Sequence, residues 1–97
     1  MDKEMLKKLV IEKLDTLGVV SKMRPIHFDI LDEQIENVLK YEKEYKLDGL
    51  TDNDLPEIVM VYLSQGLQVF ENILKEIHLT FPEVIINAWY RGKNNRI

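Results

Sequence analysis

Leu6, Leu9, Val10, Leu14 and Leu17 recur at helical spacing, while Lys7, Lys8, Glu12 and Lys13 fall between them. That periodicity places the apolar residues on one stripe and the charges opposite. It predicts an amphipathic helix over 3–17 that ends at Gly18, because glycine accepts the left-handed backbone that closes many helices. The following stretch reads as a connection. Pro25 interrupts it and biases Arg24 toward extended geometry.

A second helix is expected over 29–46, with Asp29 as its N-cap. Leu31, Ile35, Val38, Leu39, Glu42 and Tyr45 track one side, apolar except at Glu42. Asp29, Asp32, Glu33 and Glu36 repeat at three- and four-residue steps and therefore share a neighbouring face. Acids early and Lys40, Lys43 and Lys46 late also suit the helix dipole.

Two later stretches, "DLPEIVMVYLSQG" and "TFPEVIINAWYRG", align without a gap. In each, Asp54 or Thr80 can cap a helix while Glu57 or Glu83 reaches back, and proline occupies the first turn, where its missing N–H costs nothing. The run Ile58 to Leu63 has no polar face and should be buried all round. A single helix over 55–78 would be about 36 Å long, against a radius of gyration near 13 Å for a domain of this size. It must either bend at Gly66 or be covered by a second copy of the chain. Segments 57–63 and 83–90 are also rich in β-branched residues, so a strand reading competes there. The capping pattern favours helix. The expected fold is all-α, a small bundle of about four helices near 3–17, 29–46, 55–78 and 82–91. It forms a single domain over 1–97, and the basic tail 92–97 is expected to be disordered.

The absence of cysteine removes disulfides, thiolate zinc sites and thiol catalysis together, and it suits a reducing compartment. No apolar run approaches the ~18–20 residues that cross a membrane. The charged N-terminus does not resemble a secretory signal, so a cytoplasmic protein is expected. The net charge of −4 is unevenly spread: residues 29–57 hold ten acids and three bases, whereas 91–97 hold three bases and no acid. That polarity argues against a chain that coats nucleic acid over its whole surface.

Chemistry-bearing patterns are sparse. His27 and His78 stand without metal-spaced partners, Ser21 and Ser64 lack a nucleophile elbow, and the four glycines form no phosphate loop. Asp48, Asp52, Asp54 and Glu57 suggest calcium, but the spacing fails. With Asp48 as first ligand, Leu50 and Val59 occupy ligand positions; with Asp52 first, Pro56 does. No Glu-x-x-His pair supports a di-metal site. Neither metal, cofactor nor catalytic residue is therefore expected.

At the C-terminus, Ile86, Trp89, Arg91, Gly92 and Lys93 lie in "INAWYRGKN". This stretch resembles the end of the recognition helix in the phage-repressor-like helix-turn-helix family. The resemblance implies DNA contacts from Arg91, Lys93 and Arg96. Aligned on Trp89, however, that family's turn glycine falls on Thr80 and its small buried alanine on Glu76, and residues 82–90 carry no arginine, lysine or glutamine to read base edges. The leading expectation is a small, acidic, non-enzymatic helical protein that works by protein–protein interaction, as a regulator, inhibitor, immunity-type protein or assembly factor. Asp29, Asp32, Glu33 and Glu36 would face a partner with a basic surface, and the third helix would allow a homodimer. A DNA-binding module is the second reading.

Overall fold

In the computed structural model, which describes residues 1–66 and 68–94, the described chain is helical and has no strand. Helix α1 (Lys3–Thr16) turns Leu6, Val10 and Leu14 inward. Asp2 caps it by accepting a hydrogen bond from the Met5 N–H at 2.8 Å. At its other end Gly18 adopts φ +75°, which a side chain would strain. The Val19 N–H then reaches the Leu14 carbonyl and the Gly18 N–H reaches Asp15. Buried Val19 closes this C-terminal motif against the core.

Helix α2 (Pro25–Lys40) begins four residues before the expected start at Asp29. Pro25 occupies the first helical position, where a missing N–H has no consequence, with Arg24 extended ahead of it. Asp29 therefore lies inside the helix and does not cap it. The cap comes from His27, whose Nδ1 accepts the Arg24 N–H at 2.9 Å. The other end also differs from expectation: the helix breaks at Tyr41, and α3 (Glu42–Leu47) follows as a separate element. Gly49, at φ +91°, closes α3 as Gly18 closes α1, with the Leu50 N–H on the Tyr45 carbonyl.

Helix α4 (Leu55–Gly66) is the centre of the fold. Leu55, Ile58, Val59, Met60, Val61, Tyr62 and Leu63 are all buried, because α1, α2 and α6 pack around it and α5 folds back on it. The expected rod over 55–78 is two helices: α4 ends at Gly66 and α5 (Gln68–Leu74) begins at Gln68. The apolar run is thus covered by its own chain, and the physical reason for invoking a second copy disappears. A buried hydrogen bond of 2.8 Å between the Tyr45 and Tyr62 hydroxyls ties α3 to α4. The chain then runs without helix to α6 (Glu83–Asn94), whose Ile85, Ala88 and Trp89 close the core.

Neither expected capping box forms. The Asp54 carboxylate instead accepts from the Thr51 N–H and hydroxyl at 2.8 and 3.1 Å, holding a 3-10 turn over Asp52–Asp54. Glu83 is the first residue of α6, too early to reach back to its cap. Pro56 lies in the first turn of α4, whereas Pro82 flanks α6 and accepts the Ile86 N–H through its carbonyl. The α6 backbone also continues through Gly92 and Lys93 to Asn94, so the expected disordered tail is helical at its beginning. Residues 95–97 lie outside the described part.

Candidate functional site

The four carboxylates Asp29, Asp32, Glu33 and Glu36 do share one side of α2, but they divide into two pairs. Asp32 and Glu36 face α1, where Lys7 Nζ approaches Asp32 Oδ1 at 3.0 Å and Lys3 Nζ approaches Glu36 Oε1 at 2.7 Å. Asp32 Oδ1 is shielded from solvent and is answered by that ammonium. Glu36 in turn raises the Lys3 pKa above its ordinary value through their hydrogen bond. Asp29 and Glu33 are exposed and enter no ion pair or hydrogen bond among the described residues. Ile26, 54% exposed, precedes them by three and seven residues, so all three lie within one turn-wide strip of helix surface. The resulting patch is a free acidic pair beside an uncovered isoleucine.

A second electrostatic cluster staples the N-terminus to α3. The Met1 ammonium sits 2.7 Å from Glu42 Oε1, and Lys46 Nζ bridges Glu42 at 3.1 Å and Asp52 at 2.9 Å. Glu42, which interrupts the apolar side of the expected helix, is thus engaged by two cations. The ammonium's hydrogen bond, opposed by burial and aided by Lys46, holds the Glu42 carboxyl below its ordinary 4.5. A depressed folded-state pKa contributes stability above the unfolded value, and that contribution fades as pH falls through the folded one. Glu42→Gln should therefore lower the melting point at neutral pH, by a share equivalent to about 1 kcal/mol or less. The gap from wild type should close as pH falls through the folded-state value, which lies below the ordinary 4.5. Melts at several pH values check this.

Two clefts open among the described residues. One of about 400 Å³ lies between the end of α1, α4 and the segment before α6, lined by Leu17, Met60, Leu79 and Phe81 with Lys13 and Glu57. It is open, and its two charges have opposite sign, so it selects no ligand charge. Another, of about 250 Å³, gathers Ser64, Glu71 and His78. The Ser64 hydroxyl donates to the Val61 carbonyl at 3.3 Å and makes no bond to His78, so the base a nucleophile requires is not engaged. Among the described residues no three metal-ligating side chains cluster, and Asp48, Asp52, Asp54 and Glu57 go to separate tasks.

Of the residues that the helix-turn-helix resemblance implies as DNA contacts, Arg91 lies on the exposed side of α6, with its Nη2 2.9 Å from Asp48 Oδ2. Lys93 contributes its backbone to the last turn of α6, and Arg96 lies outside the described residues. Trp89 packs inward, 7% exposed, with its ring 4.7 Å from that of Tyr90. No described helix is long and apolar enough to cross a membrane. The fold thus defines a small all-α bundle with a free acidic strip. Compared with known proteins, the chain matches no family model, no curated protein and no solved structure.

Proposed function

We propose that the protein is a non-enzymatic interaction module that binds a protein partner with a basic surface through the outer strip of α2. The observation that supports this reading is the division of the acidic ridge. Asp32 and Glu36 are committed to α1, while Asp29 and Glu33 stand free beside exposed Ile26. Free carboxylates attract a basic partner over a Debye length of about 8–10 Å and raise its association rate more than its affinity. An exposed apolar residue at their edge adds contact area that survives salt. The contribution of Asp29 and Glu33 to stability is small, because unpaired surface charges contribute little to folding. Regulator, inhibitor and assembly factor are all roles for such a module.

Asp29→Asn/Glu33→Gln is expected to melt within about 0.5 kcal/mol of wild type, as ordinary surface substitutions do. The control is Glu12→Gln/Glu44→Gln, which removes the same charge from exposed positions on α1 and α3. Tagged wild type and both variants are used to capture proteins from native cell extract at low and high salt. Wild type and control should retain the same basic protein at low salt, with the α2 variant losing most of it. Equal retention by all three, or retention of acidic proteins alone, would remove the α2 strip from consideration.

A further inference from the structure

We propose that Asp48–Gly49 is a site of spontaneous backbone modification, where aspartate converts to isoaspartate whenever the joint between α3 and α6 opens. Asp48 is the one aspartate in the sequence that glycine follows, and glycine follows no asparagine. In such a pair no Cβ shields the amide nitrogen next to the carboxyl. Space does not select this glycine, because a Cβ at Gly49 would meet nothing within 4 Å. Its φ of +91° does: the left-handed turn that closes α3 favours glycine. The fold thereby sets the reactive dipeptide on an exposed turn.

The conversion balances without a co-reactant. The Gly49 nitrogen bonds to Cγ of Asp48, and the amide hydrogen leaves with the carboxyl's hydroxyl as water. The resulting five-membered succinimide takes water back at the original main-chain carbonyl, and the C–N bond there breaks. The main chain then runs through Cβ and Cγ, one methylene longer, and the α-carboxylate is free.

The closed joint opposes the first step in three ways. Asp48 has ψ 8°, so the Gly49 nitrogen nearly eclipses the nitrogen of Asp48 itself. Ring closure needs it beside Cβ, about a third of a turn away by tetrahedral geometry. The Gly49 N–H is also occupied, donating to the Lys46 carbonyl at 3.0 Å. Finally, Arg91 Nη2 holds Asp48 Oδ2 at 2.9 Å, so α6 restrains the electrophile. That pair is half-exposed and restrains only modestly. The reaction therefore proceeds from locally opened molecules. Its product prevents clean reclosure. An added methylene shifts the turn through which the Leu50 N–H reaches the Tyr45 carbonyl at 3.1 Å and Leu50 enters the core.

The test ages the full chain at body temperature and neutral pH as wild type, Arg91→Ala and Arg91→Lys, each with and without unfolding urea. Peptide mapping with electron-transfer fragmentation counts isoaspartate at every aspartate. In folded wild type, position 48 should accumulate it faster than any other aspartate. Urea should accelerate conversion there by roughly tenfold or more. Without urea, Arg91→Ala should accelerate it by roughly two- to fivefold, the effect of losing a half-exposed pair, and Arg91→Lys should restore most of the restraint. Faster conversion at another aspartate, or a rate at 48 that urea leaves unchanged, would overturn the proposal. Equal rates in folded wild type and Arg91→Ala would overturn the part given to α6. Should Arg91→Ala fail to fold, the comparison of wild type with and without urea still decides whether the closed joint protects Asp48.

Discussion

Val61→Asp is expected to leave the chain unfolded. Val61 is fully buried in the middle of α4, where α1, α2 and α6 enclose it. An isolated carboxylate there must either ionise without water or bind a proton at neutral pH, and both cost several kcal/mol. That is comparable with the whole stability of a small domain, about 5–15 kcal/mol. The same substitution separates two ways of covering an apolar helix. Were α4 the meeting face of two copies, aspartate would split a dimer and leave folded monomers. With α4 enclosed by its own chain, aspartate removes helical circular dichroism at every protein concentration. A helical, cooperatively melting Val61→Asp monomer seen by light scattering would restore the two-copy interpretation. Wild type, for its part, has no need of a second copy to bury residues 58–63.

The helices were legible wherever apolar spacing and a stop signal agreed. Leu6, Val10 and Leu14 point inward as their period requires, and Gly18 ends α1 in the left-handed geometry its position implied. The differences lie at boundaries; those at Tyr41 and Gly66 involve no proline, whereas the start of α2 turns on one. At the first helical position it is a start, so α2 begins at Pro25 and Asp29 falls inside it. The capping boxes were inferred from residue types at the right separation. Asp54 had a competing partner in Thr51, which spacing alone does not reveal. α4 was recognised as wholly apolar, but which elements would surround it depends on tertiary packing.

The candidate site shows the same division. Periodicity correctly placed Asp29, Asp32, Glu33 and Glu36 on one side of a helix. It could not show that α1 lies along one edge of that side, where Lys3 and Lys7 engage Glu36 and Asp32. Those contacts span 33 and 25 residues of sequence and follow from how α1 packs on α2. His27 reads as a lone histidine in the sequence, although a local signal is present. Once Pro25 is taken as the first helical residue, His27 occupies the third, where a capping box places its acceptor. Its bond to Val69, 42 residues away, had no such signal.

Trp89→Ala is expected to be the most damaging truncation in α6, whereas Arg91→Glu two residues away should be mild. Trp89 sits three and four residues after Ile86 and Ile85, and with Ala88 it forms the face that α6 lays on α4. Truncating a buried tryptophan costs roughly 3–5 kcal/mol. At about 4–8 °C per kcal/mol for a domain of this size, the melting point should fall by more than about 12 °C. Arg91 instead faces water on the far side and holds Asp48 across a half-exposed contact. Reversing its charge loses a surface pair worth about 1 kcal/mol or less and sets two acids together. The contrast also tests the nucleic-acid reading of the C-terminus. A helix that served DNA phosphates would bind duplex with an affinity falling steeply in salt, and Arg91→Glu would abolish that binding. With Arg91 already paired to Asp48 and Trp89 turned inward, the expected result is a large melting loss for Trp89→Ala. Arg91→Glu should shift melting only slightly, with no salt-sensitive duplex binding by wild type. A small shift for Trp89→Ala together with salt-sensitive duplex binding would reverse the assignment and make α6 a DNA-contacting helix.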